Sequence, residues 1–263
     1  MVFLPVLIFI LGLIIGSFLN VVILRMNTGR SATSGRSACM HCGQTLGWKE
    51  LVPVVSFLGL GGKCRTCKAP ISFQYPVVEL ISGIVWVALY AHFPVAGWFS
   101  AYSWLSFAFS VVIASLLIVL AIYDVRHKIL PDSVMYPFML LALAAIAVKG
   151  TLFPEFSVTG ALVGGVWVGL PFFLLWAISK GRAMGFGDVK LALGIGWLLG
   201  LSMGFAAIII AFWIGALAGL FLIAIAHTHS MKSQLPFGPF LILAVLIVVL
   251  GDISITQLFP PIL

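Results

Sequence analysis

Charged side chains are scarce in this chain. They make up only 8% of its 263 residues, whereas 62% are hydrophobic. In a soluble domain roughly a quarter of the residues are charged and roughly a half are hydrophobic. This composition excludes an intrinsically disordered protein and an ordinary soluble enzyme. At about 20 residues per span, the hydrophobic residues would fill about eight membrane spans. The composition therefore predicts a polytopic integral membrane protein.

The first apolar run lacks the marks of a cleaved signal peptide. No basic residue precedes it and no small-residue cleavage site follows it, so we expect it to remain as a transmembrane helix. Apolar runs fall at Val2–Leu24, Tyr75–Phe93, Ala101–Tyr123, Ser133–Val148, Ser157–Ser179, Val189–Leu199, Gly204–Ala226 and Pro236–Ile253. The expected fold is all-α, with about eight transmembrane helices: residues 1–24 form the first helix, residues 25–74 a small extramembrane domain, and residues 75–263 the main membrane domain.

Basic residues are almost missing from alternate loops. Of the fourteen Lys and Arg residues, thirteen fall on one side of the predicted membrane, including all seven in the polar stretch 25–74. Lys149 is the one basic residue on the other side. Because cytoplasmic loops carry the excess of Lys and Arg, both termini are expected outside and the 25–74 domain in the cytoplasm. The net charge of +7 therefore indicates orientation, and no nucleic-acid partner is expected.

All four cysteines lie in this polar stretch as two Cys-x-x-Cys pairs, Cys39 with Cys42 and Cys64 with Cys67. The pairs are separated by 21 residues, which is close to the spacing of a four-cysteine zinc ribbon. Two disulfides are the alternative, and a reducing cytoplasm disfavours them. Four thiolates leave zinc no open position for water, so we expect one structural zinc ion that stabilises the loop.

Acidic residues number only seven: Glu50, Glu79, Asp124, Asp132, Glu155, Asp188 and Asp252. Asp124 ends a long apolar run, and Asp188 follows Gly185-Phe186-Gly187 just before another. Both therefore lie at the cytoplasmic edge of the membrane, where ionisable groups are costly and are candidates for function. Asp132 has a structural explanation, since it follows Pro131 and is expected to cap the next helix.

Two interpretations of Asp124 and Asp188 remain open. Each carboxylate could pair with a cation at the interface, namely Arg126, Lys128 or Lys190. Alternatively, the two carboxylates converge and share one proton, because a close pair cannot both ionise at low cost. That arrangement is typical of aspartic proteases, in which one carboxylate activates water and the other polarises the peptide carbonyl. Gly185 and Gly187 would let a substrate backbone approach Asp188 closely.

Besides the cysteine pairs, five segments stand out along the chain: Gly16-Ser17-Phe18-Leu19-Asn20-Val21-Val22, Tyr75-Pro76-Val77-Val78-Glu79-Leu80, Asp124 with Ile129-Leu130-Pro131-Asp132, Gly185-Phe186-Gly187-Asp188-Val189-Lys190-Leu191, and Pro236-Phe237-Gly238-Pro239-Phe240. In this order, they resemble the bacterial type IV prepilin peptidases, bifunctional leader peptidases and N-methyltransferases of the Gly-x-Gly-Asp membrane aspartic protease class. The sequence departs from the family pattern at Gln74, where many relatives carry Arg, and at Met26-Asn27, where Leu-Pro is common.

The resemblance implies a function and a set of site residues. Asp124 and Asp188 would be the catalytic pair within residues 75–263. They would remove the short basic leader of type IV prepilins or type II secretion pseudopilins at the cytoplasmic face of the bacterial inner membrane. The residues expected to bind the substrate are Gly185, Gly187, Lys190 and Glu79. Relatives with the four cysteines usually also methylate the new N-terminal amine with S-adenosylmethionine.

Several roles stay open. Glu79 either serves substrate positioning or methyl transfer, or it forms an ion pair with Arg25 or Lys190. Lys190 either orients Asp188 or reaches the lipid headgroups. The segment Pro236-Phe237-Gly238-Pro239 either kinks the start of the last helix or lines a substrate groove. No Gly-x-Gly-x-x-Gly motif follows a strand, so the sequence does not locate a site for S-adenosylmethionine.

Two other functions are compatible with the residues. A proton-coupled transporter would use the two aspartates as relay groups nearer the membrane midplane. A zinc-stabilised assembly protein of a pilus or secretion machine would need no catalysis. The expected partners are prepilin or pseudopilin substrates and the lipid bilayer, while the formation of a homo-oligomer stays open.

Overall fold

The computed structural model describes residues 3–92, 101–226 and 235–258. In these ranges the β-structure consists of two isolated bridges, Ala38 with Thr45 and Lys63 with Pro70. The helices are α1 (Phe3–Arg25), α2 (Val55–Gly59), α3 (Gln74–His92), α4 (Ala101–His127), α5 (Asp132–Leu152), α6 (Val158–Ser179), α7 (Phe186–Ala226), α8 (Gly238–Gly251) and α9 (Ile255–Leu258). The expected all-α fold class is confirmed.

Within the described ranges, six helices are long and apolar enough to cross a membrane: α1, α3, α4, α5, α6 and α7. The chain is therefore a multi-pass membrane protein. The expected count of eight spans is not confirmed: the sixth and seventh apolar runs fall in α7 on either side of Gly200, and the eighth corresponds to α8, whose 14 residues are fewer than the roughly 20 of a typical span. Val2, Phe93 and residues 259–263, which the sequence assigned to spans or to the membrane domain, lie outside the described residues.

The helix α7 is interrupted at Gly200, which has φ 78° and ψ −179°. Only glycine adopts this backbone conformation at low cost. A Cβ built on Gly204 would lie 3.6 Å from the Cα of Gly196, whereas eight residues of a straight helix rise about 12 Å. The chain therefore folds back at Gly200, and α7 consists of two arms that lie side by side.

The structure divides into two compact units, of which the first is Met1–Val119. In this unit α1 packs directly on α3: a Cβ at Gly12 would lie 2.7 Å from the Cα of Gly83, and a Cβ at Gly16 would lie 2.7 Å from the Cα of Glu79. Small residues allow such a close approach of two helices in a membrane. The polar loop 26–73 connects α1 to α3 and contains α2.

The second unit, Leu120–Leu263, holds the end of α4 and the helices α5 to α9. The first arm of α7 packs on α6, because a Cβ at Gly196 would lie 2.7 Å from the Cα of Gly165. Phe172 of α6, Phe212 of the second arm and Phe237 form an aromatic cluster with ring centroids 4.9 to 6.3 Å apart. This cluster places the start of α8 against α6 and α7.

The start of α5 differs from the expectation. Pro131, in an extended conformation, is the residue that caps α5, and Asp132 is already its first helical residue. The prediction that Asp132 caps this helix is therefore wrong. Its carboxylate instead accepts a hydrogen bond from Lys190 Nζ at 2.6 Å, because a charged donor is a stronger partner than a backbone N–H group.

Candidate active site and metal centre

Asp124 lies in the last turn of α4 and is 5% exposed. Its Oδ2 accepts the backbone N–H of Gly238, the first residue of α8, at 3.2 Å. The N-terminal end of a helix carries unpaired N–H groups and a positive partial charge, and both suit a carboxylate. A Cβ at Gly238 would lie 2.7 Å from the same oxygen, so the contact depends on glycine. Sequence reasoning left Gly238 undecided, and the one signal was a glycine between two prolines where the last apolar run begins.

Asp188 lies in the first turn of α7 and is half-buried. Its backbone N–H donates to the carbonyl of Gly185 at 3.2 Å. Its side-chain Oδ1 is buried and accepts no hydrogen bond from the described residues, which is uncommon because buried polar atoms are nearly always paired. The two carboxylates are close enough for Asp124 to act electrostatically on Asp188.

The side chain of Leu130 connects the surroundings of the two aspartates. A Cβ at Gly187 would lie 2.9 Å from the Cβ of Leu130, and a Cβ at Gly238 would lie 3.4 Å from its Cδ2. Leu130 is buried and thus fills the space between the glycine next to Asp188 and the glycine bonded to Asp124. Sequence reasoning included Leu130 in a motif and gave it no role of its own.

The expected site residue Lys190 contacts α5. Its Nζ donates to Asp132 Oδ1 at 2.6 Å and to the Tyr136 hydroxyl at 3.3 Å. The same ammonium group lies 4.9 Å from the ring centroid of Tyr136 and 5.6 Å from that of Phe186. Lys190 therefore ties the start of α5 to the start of α7, and its ion pair is with Asp132 rather than with Asp188.

Glu79 belongs to the first unit, whereas both aspartates belong to the second. It is 5% exposed, and its Oε2 accepts the backbone N–H of Val54 at 2.8 Å. Val54 has φ 59° and ψ −49°, a conformation that is an outlier for a β-branched residue. Arg25, one of the proposed partners of Glu79, donates instead to the carbonyls of Ser31, Ser34 and Arg36.

The four cysteines form one cluster in the loop 26–73. Their sulfur atoms all lie within 4.8 Å of one another, and Cys39 Sγ lies 3.8 Å from Cys67 Sγ. A disulfide would need about 2.05 Å, whereas Zn–S bonds of about 2.3 Å in a tetrahedron separate the sulfur atoms by about 3.8 Å. All four cysteines are free, so the donor set fits a tetrahedral metal ion and not the disulfide alternative.

The two Cys-x-x-Cys segments have the same local structure. The carbonyl of Cys39 accepts the N–H of Gly43 at 3.0 Å, and the carbonyl of Cys64 accepts the N–H of Lys68 at 3.0 Å. Gly43 and Lys68 both have positive φ values, 70° and 59°. In each segment, the turn after the first cysteine brings the sulfur atoms of both cysteines to the same side of the backbone. Two ligands on one side of a turn can bind the same metal ion.

The thiols of the cluster differ in acidity. The backbone N–H groups of Cys42 and His41 lower the pKa of Cys39 to about 6. The backbone N–H of Ala69 lowers the pKa of Cys67, but desolvation and the three neighbouring thiols together raise it to about 11. Crowded thiols thus retain a proton that a bound cation would displace, because metal ligands bind as thiolates.

Comparisons with known proteins agree with these features. The profile of the bacterial peptidase A24 N-terminal domain matches residues 10–93, and that of the type IV leader peptidase family matches residues 111–220. A protein of Myxococcus xanthus named prepilin leader peptidase/N-methyltransferase is 38% identical over 194 residues, which cover 74% of this chain and 56% of that protein. No solved structure matches the chain.

Other relatives match along most of their length. The type 4 prepilin-like proteins leader peptide-processing enzyme of Escherichia coli is 32% identical over 255 residues, which cover 89% of each chain. The prepilin leader peptidase/N-methyltransferase of Aeromonas hydrophila is 30% identical over 275 residues, which cover 95% of this chain and 92% of that protein. With this identity over nearly the whole of both chains, the protein belongs to the type IV leader peptidase family.

Proposed function

We propose that this protein removes the leader peptide from prepilins or pseudopilins, with Asp124 and Asp188 as its catalytic pair. The geometry around Leu130 carries the proposal, because Leu130 packs between Gly238, which binds Asp124, and Gly187, which precedes Asp188. Both aspartates therefore belong to one end of one helical unit. The buried Oδ1 of Asp188, without a hydrogen bond from the described residues, is available to a reacting group.

The chemistry follows from two carboxylates that share one proton. The ionised carboxylate removes a proton from water while the water oxygen attacks the carbonyl carbon of the scissile peptide bond. The protonated carboxylate donates a hydrogen bond to the carbonyl oxygen and helps to stabilise the negative charge that develops there. When the C–N bond breaks, a carboxyl group returns a proton to the leaving amine.

The orientation of the chain decides which part of a substrate reaches the pair. Arg126 lies in the last turn of the same helix as Asp124 and Lys128 follows the end of that helix, and basic residues favour the cytoplasmic side. We therefore place the active site at the cytoplasmic face of the bacterial inner membrane. A substrate would present its leader in the cytoplasm and its apolar segment in the bilayer.

The second proposed activity is methylation of the new N-terminal amine. This activity is part of the name of several relatives that match most of their length, and bound S-adenosylmethionine would supply the methyl group. Cys39, Cys42, Cys64 and Cys67 would hold one zinc ion, which would stabilise the loop 26–73 and leave no position for a reacting water. The comparisons give no support to a proton-coupled transporter.

Intact mass spectrometry of a purified prepilin, incubated with the protein in lipid, tests both activities in one spectrum. We expect loss of the leader mass with the wild type, and a further gain of one methyl group only when S-adenosylmethionine is added. Asp188→Asn should leave the prepilin intact, while the matched control Asp252→Asn should cleave it. Failure of the folded wild type to cleave several prepilins would favour a non-catalytic assembly protein.

A further inference from the structure

A cavity of about 310 Å³ lies in the polar loop between α1 and α3. This volume is at the lower end of the range for small-molecule sites, about 300 to 1,000 Å³. Trp48, Lys49, Glu50 and Arg65 contribute its aromatic and charged lining. The cavity belongs to the first unit, whereas Asp124 and Asp188 belong to the second, so peptide cleavage leaves it without a role.

The lining combines three kinds of group that suit a nucleoside joined to an amino acid. Trp48 is 75% exposed and offers a wide aromatic face, on which a purine stacks well. Glu50 supplies a carboxylate that can accept hydrogen bonds from ribose hydroxyls. Lys49, with its Nζ 5.5 Å from the Trp48 ring centroid, and Arg65 supply cations that attract a carboxylate.

Two features hold these groups in place. Glu50 Oε2 accepts the backbone N–H of Gly47 at 2.7 Å, which fixes the carboxylate at the end of the short turn Trp48–Glu50. Arg65 lies between Cys64 and Cys67, so a metal ion in the cysteine cluster would fix its backbone. A site whose groups are fixed before binding loses less entropy when the ligand arrives.

One segment that lines the cavity is hydrogen-bonded to the membrane helix α3. Val52 and Val55 line the cavity, and Val54 between them, with its positive φ of 59°, donates its backbone N–H to the buried carboxylate of Glu79. Backbone outliers of this kind persist only where the surroundings enforce them, and they cluster at functional sites. Glu79 thus holds the segment that carries Val52 and Val55, and this gives a role to a buried carboxylate far along the chain from the aspartates.

We propose that this cavity is the binding site for S-adenosylmethionine, with Trp48 for the adenine, Glu50 for the ribose, and Lys49 and Arg65 for the carboxylate of the amino acid. The inference rests on the proposed N-methyltransferase function and assigns that function to the first unit. It also gives the cysteine cluster a further purpose, because Arg65, between Cys64 and Cys67, lines the site.

Equilibrium binding of tritiated S-adenosylhomocysteine to the full-length, zinc-loaded protein in lipid nanodiscs tests the site without any turnover. Trp48→Ala should raise the Kd by about tenfold or more, since base stacking on one aromatic side chain contributes about that much. Glu50→Gln should raise it less, and Trp48→Leu should behave like Trp48→Ala. The control Leu58→Ala removes a 70% exposed side chain of the same loop that does not line the cavity, and it should bind like the wild type. The zinc content of each variant reports whether the loop is folded.

The possible results distinguish a wrong binding site from a wrong methyltransferase function. A wild type that methylates its product, together with variants that retain wild-type affinity, would overturn the cavity as the site and leave the methyltransferase function intact. A wild type that neither binds S-adenosylhomocysteine nor methylates would overturn both. If Trp48→Ala loses its zinc, the affinity of Trp48→Leu decides the question.

Discussion

Gly238 donates its backbone N–H to the Oδ2 of Asp124 over 3.2 Å, and this bond joins residues that are 114 positions apart. The N-terminal end of α8 thereby faces a carboxylate at the C-terminal end of α4. A buried carboxylate that is bound on one oxygen has a fixed orientation. Fixed orientation is what a catalytic carboxylate needs, since a misplacement of about 1 Å can reduce a rate by about 100-fold.

Gly238→Ala is therefore expected to reduce leader cleavage by about 10- to 100-fold. The added Cβ would lie 2.7 Å from Asp124 Oδ2, so either the carboxylate or the start of α8 must move. The measurement is kcat/KM with a purified prepilin. Gly219→Ala is the matched control, because its Cβ would come no closer than 3.6 Å to Leu235. A Gly238→Ala protein that cleaves at the wild-type rate would show that this bond does not position Asp124.

The two glycines before Asp188 should respond differently to substitution. Gly187→Ala would place a Cβ 2.9 Å from the Cβ of Leu130, and crowding of this kind costs about 1–3 kcal/mol. We expect a lower Tm and a lower kcat. At Gly185 the nearest atom to an added Cβ is Asp188 Oδ2 at 3.9 Å, so Gly185→Ala should retain its Tm and raise KM if the substrate backbone passes there. An unchanged KM would remove Gly185 from the substrate site.

The ion pair between Lys190 and Asp132 should contribute little to stability. Their side chains are 18% and 55% exposed, and exposed pairs typically contribute about 0.2–1 kcal/mol. A double-mutant cycle of Lys190→Met and Asp132→Asn, followed by unfolding in detergent, should give a coupling energy in this range. If Lys190 acts only through Asp132, both single variants change KM equally. A larger KM effect for Lys190→Met would indicate that its ammonium group contacts the substrate.

Removal of one cysteine should release the metal and expose the loop. Cys39→Ser leaves three thiolates, and the sulfur that lies 3.8 Å from Cys67 is lost. We expect the zinc content to fall from one ion per chain towards zero, and trypsin to cut the loop at its Lys and Arg residues. His41→Ala is the control, since His41 lies between Cys39 and Cys42 in the chain but does not belong to the cluster of candidate ligands. Retention of zinc by Cys39→Ser would contradict a four-cysteine site.

Short-range patterns predicted a large part of the site. The spacing of Cys39, Cys42, Cys64 and Cys67 predicted one cluster, and the structure brings their sulfur atoms together. Asp124 and Asp188 stood out because carboxylates at the membrane edge are costly, and the fold places both at one end of the second unit. The clustering of the cysteines is confirmed, because it depends on spacing within one short stretch of the chain, whereas the catalytic role of the two aspartates stays a prediction.

Contacts between distant segments were beyond such patterns. The bond from Gly238 to Asp124 depends on where the start of α8 lies relative to the end of α4, and the bond from Val54 to Glu79 depends on how the loop returns to α3. The break at Gly200 is equally hidden, because a glycine in an apolar run gives no sign of its φ value. The position of Asp132 after proline predicts a cap, whereas in the structure Asp132 is the first helical residue and its carboxylate binds the ammonium group of Lys190.

The joint action of Asp124 and Asp188 is tested most directly by the rates of leader cleavage for Asp124→Asn, Asp188→Asn and the double variant. Residues that act as one catalytic unit are strongly non-additive. Each single variant should therefore fall to the same low rate, and the double variant should fall no further. Multiplied losses in the double variant, or a single variant that cleaves like the wild type, would contradict a catalytic pair.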